Sequence, residues 1–120
     1  MVKYLKTLVN VNLIEALLRR YLKINGYMVT VPTKLAKYLK DEYKINFQDI
    51  LVEVLNNVRV SRVKDSLVQV YIKDKKMGDT TLGGLLELLE YGNRNIQPPK
   101  IMTKLFNKSL LQVKSYLGGE

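Results

Sequence analysis

The chain has 120 residues, no cysteine and no histidine, and its 20 Lys and Arg outweigh 11 Asp and Glu to give a formal charge of +9. This composition excludes disulfide frameworks, Cys/His metal centres and nucleophilic catalysis that needs a His base, and the charge reads either as the mark of a polyanion partner or as a soluble surface with Lys on most exposed faces. The length suits a single domain, residues 1–120, that folds without a metal or disulfide; no signal-peptide pattern and no bilayer-spanning apolar run occurs, so no membrane partner is expected.

Residues 1–10 carry Tyr4, Leu5, Leu8 and Val9, which suit either an N-terminal arm or an extension of the first helix. Asn12 stands three residues before Glu15, the spacing of a capping box. Leu13, Ile14, Leu17, Leu18, Tyr21 and Leu22 follow at helical spacing, with Glu15, Arg19, Arg20 and Lys23 opposite. Gly26 is expected to end this helix in a left-handed cap. Tyr27 to Val31 reads as a short strand closed by Pro32. Thr33 is placed to cap a second helix, with Leu35, Tyr38, Leu39 and Tyr43 on one side and Lys34, Lys37, Lys40, Asp41 and Lys44 toward solvent. Asn46 caps a third, whose buried stripe is Phe47, Ile50, Leu51, Val54 and Leu55, and Asp49 suits the positive end of its dipole.

After Asn56-Asn57 the apolar period changes from helical to alternating. Val58 and Val60 alternate with Arg59 and Ser61, Lys64-Asp65-Ser66 forms a turn, and Val68, Val70 and Ile72 alternate with Gln69, Tyr71 and Lys73. This pattern predicts a half-buried hairpin. A charged connection from Asp74 to Asp79 passes through Gly78. A fourth helix is expected from Thr80 or Thr81, where Gly83-Gly84 gives a close backbone approach or a hinge. Its Leu82, Leu85, Leu86 and Leu89 share one face, whereas Leu88 and Tyr91 lie on another. A helix apolar on two sides is buried twice over or meets another molecule. Gly92 ends it, and Pro98-Pro99 lead into a last helix from about Lys100 to Leu117 bearing Ile101, Leu105, Leu110, Val113 and Leu117. Gly118-Gly119-Glu120 is expected to fray. The predicted fold is α+β: a small antiparallel sheet, made of the hairpin 58–73 plus a short strand, packed by several helices including a long C-terminal one.

No group of side chains spells out catalysis. Glu87 and Glu90 share one helix face and cannot oppose each other across a substrate cleft. No Asp cluster suggests a carboxylate metal site. The chain is therefore read as a non-enzyme with no catalytic residue, metal or cofactor. Arg59, Arg62, Lys64, Lys73, Lys75 and Lys76 gather in and after the hairpin. They form either a basic face for phosphates or acidic neighbours, or the solvated side of a sheet; no Gly-rich phosphate cradle accompanies them. Tyr21, Tyr27, Tyr38, Tyr43, Tyr71 and Tyr91 suit either nucleic-acid stacking or a core with wet hydroxyls, and Tyr91 alone lies on an uncovered helix side.

Residues 13–73 follow the element order of a winged helix-turn-helix DNA-binding regulator. Their third helix, however, offers Gln48, Asp49, Glu53 and Asn56 with no Lys or Arg, and its carboxylates would be repelled by phosphates. Residues 45–117 show a different likeness. An apolar segment closes on Glu90-Tyr91-Gly92, Pro98 and Pro99 follow, and a terminal helix carries Phe106 and Leu110. In this the chain resembles the head–tail joining, or tail-completion, family of tailed-phage neck proteins. It lacks that family's usual turn before the hairpin, around Asn56-Asn57, and it separates Pro99 from Phe106 where the family sets Pro beside Phe.

The resemblance implies a structural virion protein, assembled in the host cytoplasm, that forms a homo-oligomeric ring between head connector and tail tube. Its partners would be sister copies, other neck and tail proteins, and passing DNA, with no catalysis and no cofactor. On this reading Leu88, Glu90, Tyr91 and Gly92, with Val68 and Val70 of the hairpin, are the expected subunit contacts, and the basic set faces acidic neighbours or DNA.

Overall fold

Alternating valines and helically spaced leucines divide the chain into a β layer and a helical layer. The computed structural model describes residues 2–118; the frayed end expected at residues 119–120 lies outside them. In chain order the elements are β1 (Val2–Lys6), α1 (Val11–Tyr27), α2 (Thr33–Tyr43), α3 (Phe47–Asn57), β2 (Val58–Lys64), β3 (Leu67–Ile72), β4 (Lys76–Met77), β5 (Thr80–Thr81), α4 (Leu82–Tyr91) and α5 (Ile101–Tyr116). The fold is α+β, as the sequence indicates.

The main sheet is antiparallel with spatial order β1-β3-β2. Leu5 lies opposite Val68, Val60 opposite Val70 and Val58 opposite Ile72. This register turns Leu5, Val58, Val68 and Val70 into the core, where each is almost wholly buried. Helix α1 packs on β2, α3 and α5, and α4 packs on both α3 and α5. The core is continuous from Leu5 to Val113.

Several local features match the expected chemistry. Asn46 caps α3 in a full capping box: its side chain accepts the Asp49 backbone N–H at 2.9 Å, and the Asp49 carboxylate accepts the Asn46 N–H at 3.1 Å. The hairpin β2–β3 turns at Asp65-Ser66. Thr81 caps α4 through Gly84, and Gly83 brings its N–H within 2.7 Å of the Asp74 carboxylate. A Cβ at Gly83 would stand 3.2 Å from that carboxylate, so the glycine serves a close approach.

Other expectations are corrected. Val2–Lys6 do not extend α1; they add the strand β1 to the free side of β3. This is the sheet's third strand, and Tyr27–Val31 is not: Tyr27 completes α1, and the Val29 N–H is spent on the Gly26 carbonyl. Gly26 does not cap α1 but lies inside it, buried where α1 meets α3. A Cβ there would sit 2.6 Å from a Leu51 methyl carbon, so the residue is dictated by helix packing and not by a left-handed turn. The N-cap of α1 is Asn10, whose side chain accepts the Asn12 N–H at 2.8 Å; Asn12 and Glu15 form no capping box, and Leu13 is exposed. Thr33 is the first residue of α2, not its cap, and Pro32 precedes it without a side-chain bond. The connection 74–79 carries β4 and a turn at Gly78 with φ +63°, and β4 pairs with β5 at Thr80–Thr81, immediately before α4.

Candidate subunit-contact surface

The end of α4 is locked from both sides. Glu90 is only 8% exposed, and one carboxylate oxygen accepts the Thr103 backbone N–H at 2.9 Å while the other accepts the Thr103 hydroxyl. Lys100, the residue preceding α5, has no side-chain oxygen to cap that helix. Glu90 supplies the acceptor in its place, with its charge at the positive end of the α5 dipole. The Lys100 N–H in turn donates to the Glu90 carbonyl at 3.0 Å. Gly92 takes φ +66°, ψ −160°, and an added Cβ would stand 2.1 Å from the Ile96 carbonyl oxygen. Asn93 closes the following loop: its Oδ1 accepts the Asn95 and Ile96 N–H groups, and its Nδ2 donates to the Tyr38 hydroxyl.

This geometry sorts the expected contact residues. Leu88, Val68 and Val70 are buried in the chain's own core, and Glu90 is an internal cap, so none of the four reaches a sister copy without unfolding. Gly92 is half-buried under its loop. Leu88 is covered because α4 meets both α3 and α5, which uses both of its apolar sides. Tyr91 differs: it is 71% exposed.

Tyr91 lines a cleft of about 340 Å³ together with Val2, Lys3, Ile72 and Glu87. Val2 connects this cleft to the outer side of the sheet, where it pairs with Tyr71. That side also carries Tyr4, Leu67 and Gln69, and every one of these residues is exposed or half-buried. β1 and β2 are the sheet's two edges, and neither has a partner on its far side among the described residues. The contribution of Val2 and Tyr4 was hidden in the sequence. Residues 2–6 alternate Val, Tyr and Lys against Lys and Leu, so both faces mix apolar and basic groups and the period is ambiguous.

The basic set is not one free face. The Arg62 guanidinium is held by the Thr7, Val9 and Asp65 carbonyls, and it clamps the segment between β1 and α1 to the sheet. Arg59 donates to the Asn56 and Val58 carbonyls at 3.0 and 2.9 Å. Lys75 pairs with Glu53 at 3.2 Å. Lys64, Lys73 and Lys76 remain exposed. Sequence reading also missed Arg19, whose Nε donates to the Leu55 carbonyl at 2.8 Å and ties α1 to the end of α3.

Among the described residues no group of three or more His, Cys, Asp or Glu is placed to hold a metal, and no helix is long and apolar enough to cross a membrane. Tyr43 is the titratable group with a distinct shift, its pKa raised by partial burial and then by neighbouring Tyr38 and Glu42. Comparisons with protein-family models, curated proteins and solved structures return no match for the chain.

Proposed function

We propose that the chain is a structural subunit of the neck of a tailed phage, assembling as a homo-oligomeric ring between head connector and tail tube. The observation that carries this reading is the division of labour within Glu90-Tyr91-Gly92. Glu90 fixes a corner through the Thr103 cap, and Gly92 permits it by a positive φ and a close approach to the Ile96 carbonyl that a Cβ would block. Tyr91, between them, is held out to solvent as a large aromatic at 71% exposure. An aromatic displayed from a fixed backbone corner makes an effective contact anchor, because it offers a large area to bury and little backbone freedom remains to be lost on binding.

Two further features support the reading. Tyr91 and Val2 line one cleft, together with Lys3 and Glu87, and Val2 shares the outer side of the sheet with Tyr4 and Tyr71 at the open β1 edge. The opposite edge, β2, lies across the sheet. A contact joining unlike patches of adjacent copies is the kind that closes into a ring, and strand edges are suited to such pairing. The winged-helix alternative finds less support. α3 exposes Gln48, Asp49, Val52 and Asn56, and the hairpin's Arg62 is already occupied by backbone carbonyls.

The test is genetic. A phage with a stop codon in the corresponding gene is expected to accumulate filled heads and separate tails under the electron microscope. Normal yields of joined, infectious particles would contradict the proposal.

A further inference from the structure

A second groove lies where the α1–α2 linker, the loop before α5 and the first turns of α5 meet. Two adjoining cavities of about 390 Å³ each share Pro32 and Pro99 in their walls. Their floor is apolar, formed chiefly by Val29, Ile96, Ile101 and Leu105. Lys34, Lys104 and Lys108 stand on the rim, and no acidic residue lines either cavity. None of these three lysines pairs with a carboxylate among the described residues.

The groove also contains an unused acceptor. Asn25 is 95% buried, being 5% exposed, and lines the end that carries Lys104 and Lys108. Its Nδ2 donates to Ser109 Oγ at 3.0 Å and to Gln112 Oε1 at 2.6 Å. The Ser109 hydroxyl donates onward to the Leu105 carbonyl at 2.8 Å, so toward Asn25 it can only accept. That fixes the amide orientation and leaves Oδ1 as the remaining atom. No donor among the described residues reaches Oδ1. Since no wholly buried side-chain oxygen among the described residues lacks a partner, Oδ1 keeps some solvent access, and Asn25 lines the groove.

We propose that this groove docks an extended acidic segment of a different protein. An apolar side chain of the segment enters the floor between Val29 and Leu105, a backbone N–H meets Asn25 Oδ1, and flanking carboxylates meet Lys34, Lys104 and Lys108. Three separate features, namely an apolar floor, a solitary acceptor and a rim of one sign, are met together by a peptide of this kind. A phosphate backbone would answer the lysines but leave the apolar floor unfilled. Among the described residues a second copy of this chain offers no such segment: their carboxylates lie on helices or in turns, except Asp74, which is bound to the Lys75 and Gly83 N–H groups. The proposal stands apart from ring assembly.

The experiment is selection from a random linear peptide library against the full chain, with the Lys104→Glu/Lys108→Glu variant as counter-target. Both lysines are exposed, so the variant is expected to keep the wild-type circular dichroism. Enriched peptides should share an apolar residue flanked by Asp or Glu. A labelled consensus peptide should lose about tenfold or more in affinity for the double variant, and a similar factor when one central backbone N–H is methylated. No enrichment, enrichment without carboxylates, or equal binding to the variant would overturn the proposal. So would a DNA duplex that alone shows the lysine dependence.

Discussion

The Glu90 carboxylate, at the end of α4, accepts both the backbone N–H and the hydroxyl of Thr103, in the first turn of α5. One helix thereby caps the next, across a loop that contains two prolines and ends on the left-handed Lys100. Removing the carboxylate leaves α5 without its cap and deprives the half-buried Thr103 hydroxyl of its acceptor. Glu90→Ala is expected to destabilise the fold by about 1–3 kcal/mol. Glu90→Gln should cost less, since it keeps an acceptor but loses the charge. Urea unfolding of both variants checks this, and an unchanged midpoint for Glu90→Ala would sink it.

The glycines rank by what a methyl group would meet. Gly92→Ala combines a strained backbone with a Cβ 2.1 Å from the Ile96 oxygen and should be the most damaging. Gly26→Ala drives a methyl into Leu51 between packed helices and is expected to cost about 1–3 kcal/mol. Gly78→Ala meets only its positive φ, with open space around it, and should cost about 1 kcal/mol. Thermal unfolding of the three variants in parallel reads the order directly.

Arg62 is expected to act as a clamp and not as a nucleic-acid contact. Arg62→Ala removes the donor shared by the Thr7 and Val9 carbonyls. Hydrogen exchange should therefore speed up in residues 3–9 while α4 and α5 stay protected. Uniform exchange across the chain would contradict the clamp.

Tyr43 should titrate at higher pH than a freely exposed tyrosine, because partial burial, then Tyr38 and Glu42, disfavour its phenolate. Its folded pKa is raised above the unfolded one. The stability it contributes is therefore fully present below the ordinary tyrosine range near 10 and is lost as pH rises through the raised value. Alkaline difference spectra of wild type and Tyr43→Phe should show one late-titrating phenol missing in the variant.

Much of the fold was legible where local chemistry decides. The Asn46–Asp49 box, the alternating valines of the hairpin and the Thr81 start of α4 each rest on neighbours in sequence. The missed features depend on distant residues. Gly26 is explained by Leu51, and β1 by the free side of β3. Helical spacing told that Leu88 lies off the main apolar face of α4 but not that both neighbouring helices would cover it. The same limit applies to Glu90, whose partner Thr103 lies 13 residues away. Tyr91 stood out in the sequence because no periodicity assigned it a place inside, and the structure leaves it exposed.

Ring assembly through the Tyr91 corner is tested most directly by light scattering on size-fractionated protein over a range of concentrations. Wild type is expected at a multiple of the 13.9 kDa chain mass. Tyr91→Asp should fall to that single-chain mass with an unchanged circular dichroism spectrum, because the side chain is exposed. A wild-type chain that stays at 13.9 kDa throughout, or a variant that assembles as wild type does, would contradict the role given to Tyr91.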